Sequence, residues 1–514
     1  MQKISQFVLF LLLSNSLWSQ MDIKQGDWDT PATKGTHQGF VMSDSNFVYS
    51  IDYQNNTFRN EQRLTASLYD KKTLKFHSSF DIIPEKKEGY DLNLTQIFSV
   101  NQSIVLVIVE NKKDRSNEKR IILQRILPNG TKEKEIIADT LPSQQNVNED
   151  FQVIVDQNET GFVICTNYPV SLEENQKLKI TAFNSDLTQK WRKTVEFPNK
   201  EKQYIFTDWR YDGGTKVFFL SRHIIDMYQI DMEFSPLNQN TYFLWGYDFS
   251  KDKLKEIELS LNQRFIHKIT IEKDKDRWLV AGIFANDKNF QSDGVFNLIL
   301  DSSWSVISHR LHNFNYEENL AFSKQSNARK ADKKNKTIQI KSIERFENGE
   351  FALIGEEYFK EIEEPNDGRM TTTNFTEIFH YVNISVYWFD SIGMIKGVYI
   401  IPKNQISIND QGVYSSYTLA KNKKDLFFFY NDNPKNLSGQ NPTADNPKPI
   451  SGFRKIYLKS VQINNKGVTK NKIVFSSSRK AHIRPKKGSQ MPDGITYFLV
   501  QKNRKNALLT IEFH

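Results

Sequence analysis

Apolar residues recur along this chain in short runs with a period of two, the spacing of strands that put alternate side chains on a core, and turn-forming residues interrupt them at regular intervals. The stretch 341–432 shows the pattern in full. Ile343 to Phe346 reads as a short strand, Glu347-Asn348-Gly349-Glu350 as a turn, and Phe351 to Tyr358 as a second, largely apolar strand. A long polar excursion follows. Tyr381 to Phe389 then alternates, Asp390-Ser391-Ile392-Gly393 turns the chain, and Lys396 to Ile401 forms a fourth strand.

The same unit recurs through the chain, with its last copy shortened. The first turn falls at Ser43-Asp44-Ser45-Asn46, Asn101-Gln102, Asp156 to Thr160, Asp212-Gly213-Gly214, Lys273 to Asp276, Glu347-Asn348-Gly349, Lys421 to Lys424, and Pro492-Asp493-Gly494. The second falls at Asp70-Lys71-Lys72, Pro128-Asn129-Gly130, Asn184-Ser185-Asp186, Phe249 to Asp252, Asp301-Ser302-Ser303, Asp390 to Gly393, Asn464 to Gly467, and Lys502 to Lys505. After each first turn comes the most apolar strand, such as Val105 to Val109 or Leu426 to Tyr430, which reads as buried on both faces. The third alternates and the fourth is the most polar, as in Lys255-Glu256-Ile257-Glu258, so burial falls from the second strand outward.

These features specify an all-β β-propeller of eight four-stranded blades, or seven if the terminal pieces combine otherwise. A β-sandwich with insertions does not predict in-phase repeats of the same two turns. The last unit has strands near Ile483, at Ile495 to Val500 and at Ala507 to Phe513, but no fourth. The segment Asp22 to Thr30 has no partner of its own, so it is expected to complete the last blade.

In such a ring, the first-to-second and third-to-fourth turns lie on one face, and the remaining connections lie on the other. The second set carries the long insertions: Arg222 to Asn240, Asn286 to Gly294, Asn313 to Thr337, Lys360 to His380, and Asn431 to Gly452. Loops presented by a rigid scaffold carry function, so this is the expected working face.

Composition refines the picture. Thirty-seven Phe and 20 Tyr suit strands. Lys3, the apolar run Phe7 to Leu13 and the small and polar residues to Ser19-Gln20 form a secretory signal peptide over 1–19, leaving 20–514 as one propeller domain. That run falls well short of the roughly 20 residues a transmembrane helix needs. Cys165 is the only cysteine and sits in an apolar strand pattern, so no internal disulfide forms. A large disulfide-free exported chain suits the bacterial envelope: periplasm, outer-membrane surface or extracellular space. From Ser451 to Thr510 there are 14 Lys and Arg against the single acid Asp493, a local net of +13 in a chain whose total is +8. Such asymmetry steers an anionic partner, an acidic glycan or an acidic protein face; nucleic acid suits an exported chain poorly.

Catalytic signatures are sparse. The chain has no Gly-x-Ser-x-Gly, His-Glu-x-x-His, Cys-x-x-Cys or Walker A pattern, and no cofactor or metal is expected. Glu356 and Glu357 close an apolar strand at its exit to the elaborated face, where one could act as a base.

Lys403, Gln405, Ser416-Tyr417 and Asn431-Asp432 follow within one unit boundary. This "Lys-x-Gln…Ser-Tyr…Asn-Asp" run resembles a group of uncharacterised exported propeller-like proteins of Gram-negative bacteria, and the resemblance implies position rather than activity. Lys403, Gln405, Tyr417 and Asp432 could offer a donor, an amide, an aromatic platform and an acceptor to a glycan or peptide, or could bond to one another across the blade junction. The expected protein is an envelope binding module for a glycan or protein partner. The alternative is a carbohydrate-active enzyme, hydrolase or lyase, using carboxylates on the same face.

Overall fold

The computed structural model describes residues 21–514 except 29, 32–35, 57–60, 83, 85–87, 114–117, 142–150, 169–174, 199–202, 225–241, 262–263, 287–291, 320–336, 364–374, 437–446, 452–456, 477–480 and 504. The leader expected over 1–19 and most of the long insertions lie outside the described residues.

Eight antiparallel sheets follow one another along the chain. In the first, Thr36–Ser43, Phe47–Asn56, Glu61–Asp70 and Phe76–Ile82 pair in sequence order. The same order holds for blade 2 (90–141), blade 3 (151–196), blade 4 (203–259), blade 5 (265–313), blade 6 (337–401) and blade 7 (418–476). Both turns of every unit fall where the residue pattern puts them. In blade 8, Thr496–Lys502 and Lys505–Phe513 are joined by Met21–Gln25, which pairs antiparallel with the last strand and sets Ile23 opposite Ile511. The N-terminal segment therefore completes the final blade, and the count is eight.

Each core belongs to two neighbouring blades, a direct consequence of strand alternation. In the second strand of blade 2, Val105, Val107 and Val109 pack towards blade 3, while Ile104, Leu106 and Ile108 pack towards blade 1. Phe427 and Phe429 of blade 7 face blade 8; Leu426, Phe428 and Tyr430 face blade 6. The series closes where Val48 and Tyr69 of blade 1 meet Tyr497 and Leu508 of blade 8. First strands of neighbouring blades approach one another and surround the axis.

Three features were not legible in the residue pattern. Blade 6 is longer than expected: its central strands run Phe351–Glu363 and Thr376–Phe389, with buried Phe359 and Phe379 pairing through much of the apparent excursion. Gln405–Ile408, read from sequence as part of the crossing to blade 7, adds a further strand alongside Ile378 to Tyr381. Register shifts also interrupt the first strands of blades 1, 2, 4, 5 and 6, in blade 6 between Ile340 and Ser342. An extra residue in one strand turns its side chain away from the regular alternation, and in blade 6 that residue is Lys341.

Candidate functional site

The eight sequence-derived residues separate into two groups. Five, Glu356, Lys403, Gln405, Ser416 and Asn431, belong to a polar junction between blades 6 and 7. Glu356 is fully buried on Phe351–Glu363, just before a register shift at which Val382 and Asn383 of the paired strand oppose the single residue Glu357. Lys403, 1% exposed, places its Nζ 2.8 Å from Glu356 Oε1. The Lys341 ammonium lies 3.4 Å from the other carboxylate oxygen, Oε2, to which the Ser416 hydroxyl also donates at 2.7 Å. Lys403 donates to Gln405 Oε1 at 3.0 Å, and the same oxygen accepts the Ser416 backbone N–H at 2.7 Å. The Gln405 amide then donates to the Asn431 carbonyl at 2.9 Å. Asn431 spends its own amide on the Tyr414 and Ile483 carbonyls, tying blade 7 to blade 8.

Burial pushes the Lys403 pKa down, opposed by the Glu356 carboxylate. Two ammonium groups share this one carboxylate, and every side chain of the junction is held by a neighbour. Local backbone geometry makes this possible. Gly412, at φ +66°, lets the chain pass so close to the Tyr381 ring that a Cβ would lie 2.3 Å from it. Ser416 holds φ +66° without being glycine, a conformation fixed by its two hydrogen bonds to Gln405 and Glu356.

Asp432, Glu357 and Tyr417 do not join this group. Asp432 is buried but pairs with Lys459 at 3.2 Å and accepts from the Asn433 backbone and the Asn436 amide. Glu357 accepts from the Asn383 amide at 3.1 Å. Tyr417 is 9% exposed, packs edge-on to Phe428, and has a hydroxyl that hydrogen-bonds to no described residue. Its pKa is raised well above the ordinary tyrosine value, mainly by burial and further by the nearby Glu356 and Glu344 carboxylates.

Beside the junction, against the axis, lies a cavity of about 840 Å³ whose wall comes from blades 6, 7 and 8. Gln339, Lys341 and Glu344 contribute from the first strand of blade 6, Ser416 to Lys421 from blade 7, and Lys486 and Gly488 to Gln490 from blade 8. Of the sequence-derived residues, only Ser416 and Tyr417 line it. Tyr358 and Tyr381, on paired strands with ring centroids 4.9 Å apart, form part of its wall. The first strand of blade 8 is broken at Pro485, which cannot donate to a ladder, and the resulting short turn Pro485–Lys487 carries Lys486 to the cavity. Lys486 came from the basic segment flagged by sequence, but its meeting with Lys341 depends on ring closure and has no local signature.

At the short-turn end, side chains reach across the axis. Gln157 of blade 3 donates to Glu272 of blade 5 at 2.5 Å and accepts from Arg345 of blade 6 at 3.2 Å. Arg210 of blade 4 pairs with Glu272 at 3.1 Å, and Lys421 of blade 7 donates to the Arg345 carbonyl at 3.0 Å. This network joins five blades on the face opposite the long insertions. Among the described residues, Asp22, Glu512 and His514 are the one group with metal-ligand spacing, and Lys24 already pairs with both carboxylates.

No family model and no curated protein matches the chain. Solved structures similar to it include the β-propeller domain of the Trilobed protease from Pyrococcus furiosus, at 9% identity and TM-score 0.36, covering 85% of this chain and 96% of that one. A Pyrococcus horikoshii acylaminoacyl peptidase gives 9% identity and TM-score 0.36 over 91% of this chain and 58% of its own. A mutant apocarotenoid oxygenase of Synechocystis gives 9% and 0.33, covering 70% and 72%. Among the described residues, no helix is long and apolar enough to cross a membrane.

Proposed function

We propose that this propeller is an exported, non-catalytic binding module of the bacterial envelope that takes a glycan chain at the axial cavity of blades 6, 7 and 8. The observation that carries this reading is the composition of the cavity wall. Two tyrosine rings stand beside hydroxyls, amides and ammonium groups from three blades, the mixture that sugar rings and their hydroxyls require. The polar junction behind the wall, from Glu356 to Asn431, fixes Ser416 and the turn bearing Tyr414, and so pre-organises that surface.

The carbohydrate-active alternative needs an acid or base presented to a substrate. Glu356 is enclosed, with one oxygen on Lys403 and the other on Ser416 and Lys341, which favours a structural role. Isothermal titration of the purified protein with a panel of envelope-type oligosaccharides tests the reading, with product analysis by mass spectrometry on the same mixtures. Saturable binding without chain cleavage or elimination is expected. Turnover of any bound oligosaccharide would establish the enzymatic alternative.

A further inference from the structure

Charge around the cavity does not balance, and the excess is on one wall. Lys421 lies 3.8 Å from Glu344, so these two lining groups offset each other. Beside it, the Glu356 carboxylate takes both Lys341 and the buried Lys403, so in the ion pairs two ammonium groups face one carboxylate, with Glu357 acting on Lys403 from farther off. Lys486 adds another. Its ammonium donates to the Gln411 carbonyl at 3.0 Å and lies 5.9 Å from the centre of the Tyr381 ring. Asp410 and Glu356 are the acids that act on it, and neither is within salt-bridge distance. Burial lowers the Lys486 pKa, and Lys487 and Lys341 lower it further, so the charged form of this lysine is held at a cost that an anion would relieve.

We infer that the glycan is acidic, and that Lys341 and Lys486 receive a sugar carboxylate while the Tyr358–Tyr381 pair contacts the ring that carries it. This rests on the glycan-binding reading above. Three things converge on it: an under-compensated ammonium in a cavity, an aromatic pair beside that ammonium, and a basic C-terminal segment whose Lys486 reaches the cavity through the Pro485 turn. A charge-assisted hydrogen bond to a half-buried ammonium outweighs one made on a flat, fully exposed surface.

A matched pair of probes separates the inference from its foundation. Cellohexaose and the β-1,4-linked hexaglucuronate share backbone and linkage and differ only in a hydroxymethyl or a carboxylate at each C6. Titration calorimetry on the full chain is expected to show hexaglucuronate binding at least about tenfold tighter than cellohexaose, the worth of one charge-assisted hydrogen bond. Lys486→Met should remove about that factor and flatten the salt dependence, while Lys253→Ala, exposed on the outer strand of blade 4, should change nothing. Lys486 is half-buried and its hydrogen bond goes to the Gln411 backbone carbonyl, so the variant should fold; unchanged circular dichroism and melting temperature confirm this before binding is read. Equal binding of the two hexasaccharides would overturn the acidic-ligand inference while leaving a glycan site in place. Failure of both to bind, or hexaglutamate binding as tightly as hexaglucuronate, would overturn the glycan reading itself.

Discussion

Breaking the buried pair between Lys403 and Glu356 is expected to be costly, and asymmetrically so. At 2.8 Å and an effective dielectric constant near 20, their Coulomb attraction is about 6 kcal/mol, largely offset by the cost of removing both ions from water. Removing one partner forfeits the attraction but leaves the other ion desolvated, a loss of about 3–5 kcal/mol in comparable sites. The two halves differ in what remains. After Lys403→Met, Glu356 keeps Lys341 at 3.4 Å and the Ser416 hydroxyl at 2.7 Å, so the cost should fall near about 3 kcal/mol. After Glu356→Gln, fully enclosed Lys403 keeps only neutral side-chain acceptors, Gln405 Oε1 and the new amide oxygen, and the cost should approach about 5 kcal/mol. The double variant should cost less than the two singles together, with a coupling of about 2 kcal/mol or more. Equilibrium urea unfolding, followed by both far-ultraviolet circular dichroism and tryptophan fluorescence, measures all four proteins. Additive costs, or a Lys403→Met loss clearly larger than that of Glu356→Gln, would refute the assignment of Lys341 as second cation to this carboxylate.

Three further outcomes follow. Burial lowers the His267 pKa from 6.5 to about 4, so the folded chain resists a proton that the unfolded chain accepts. Its contribution to stability is full above about pH 6.5 and is lost as pH falls towards 4, by up to about 3 kcal/mol; in His267→Gln this part of the pH dependence of the urea midpoint should be missing. In blade 4, a Cβ on Gly246 would lie 2.6 Å from the Trp304 ring of blade 5, so Gly246→Ala should cost about 1–3 kcal/mol in a melting or urea assay. Deleting 21–31 uncovers the edge of Lys505–Phe513, and a lower melting temperature with concentration-dependent association on size exclusion is expected.

Elements whose cause is local were legible in the sequence; side-chain meetings set by bulges and by the packing of one blade on the next were not. Turn residues and period-two alternation placed both turns of each blade, because a strand buried on both faces and a turn bonded by an Asx side chain, as at Asp156 or Asp301, leave direct marks on residue type. The role of 22–30 was legible by subtraction, as one unpaired strand in a chain one strand short. Bulges such as that at Lys341 leave no such mark, since they change where a side chain points and not which residue stands there. Phe359 and Phe379 were absorbed into a polar excursion because flanking charges hid their pairing.

At the site, Lys403, Gln405 and Ser416 were placed together because they straddle one blade boundary, and Glu356 lies on the strand that boundary packs against. Asp432 was grouped with them by sequence nearness, yet its side chain pairs with Lys459 on the neighbouring strand of its own blade. Lys341 and Lys486 stand 145 positions apart, and only the circular order of blades 6, 7 and 8 brings them to one cavity.

A crystal structure of the full chain with hexaglucuronate tests the central claim most directly. The account predicts a sugar carboxylate within hydrogen-bond distance of Lys486 and Lys341, with its ring against Tyr381. Ordered sugar on the outer strands or the short-turn face, with the axial cavity unchanged, would contradict it.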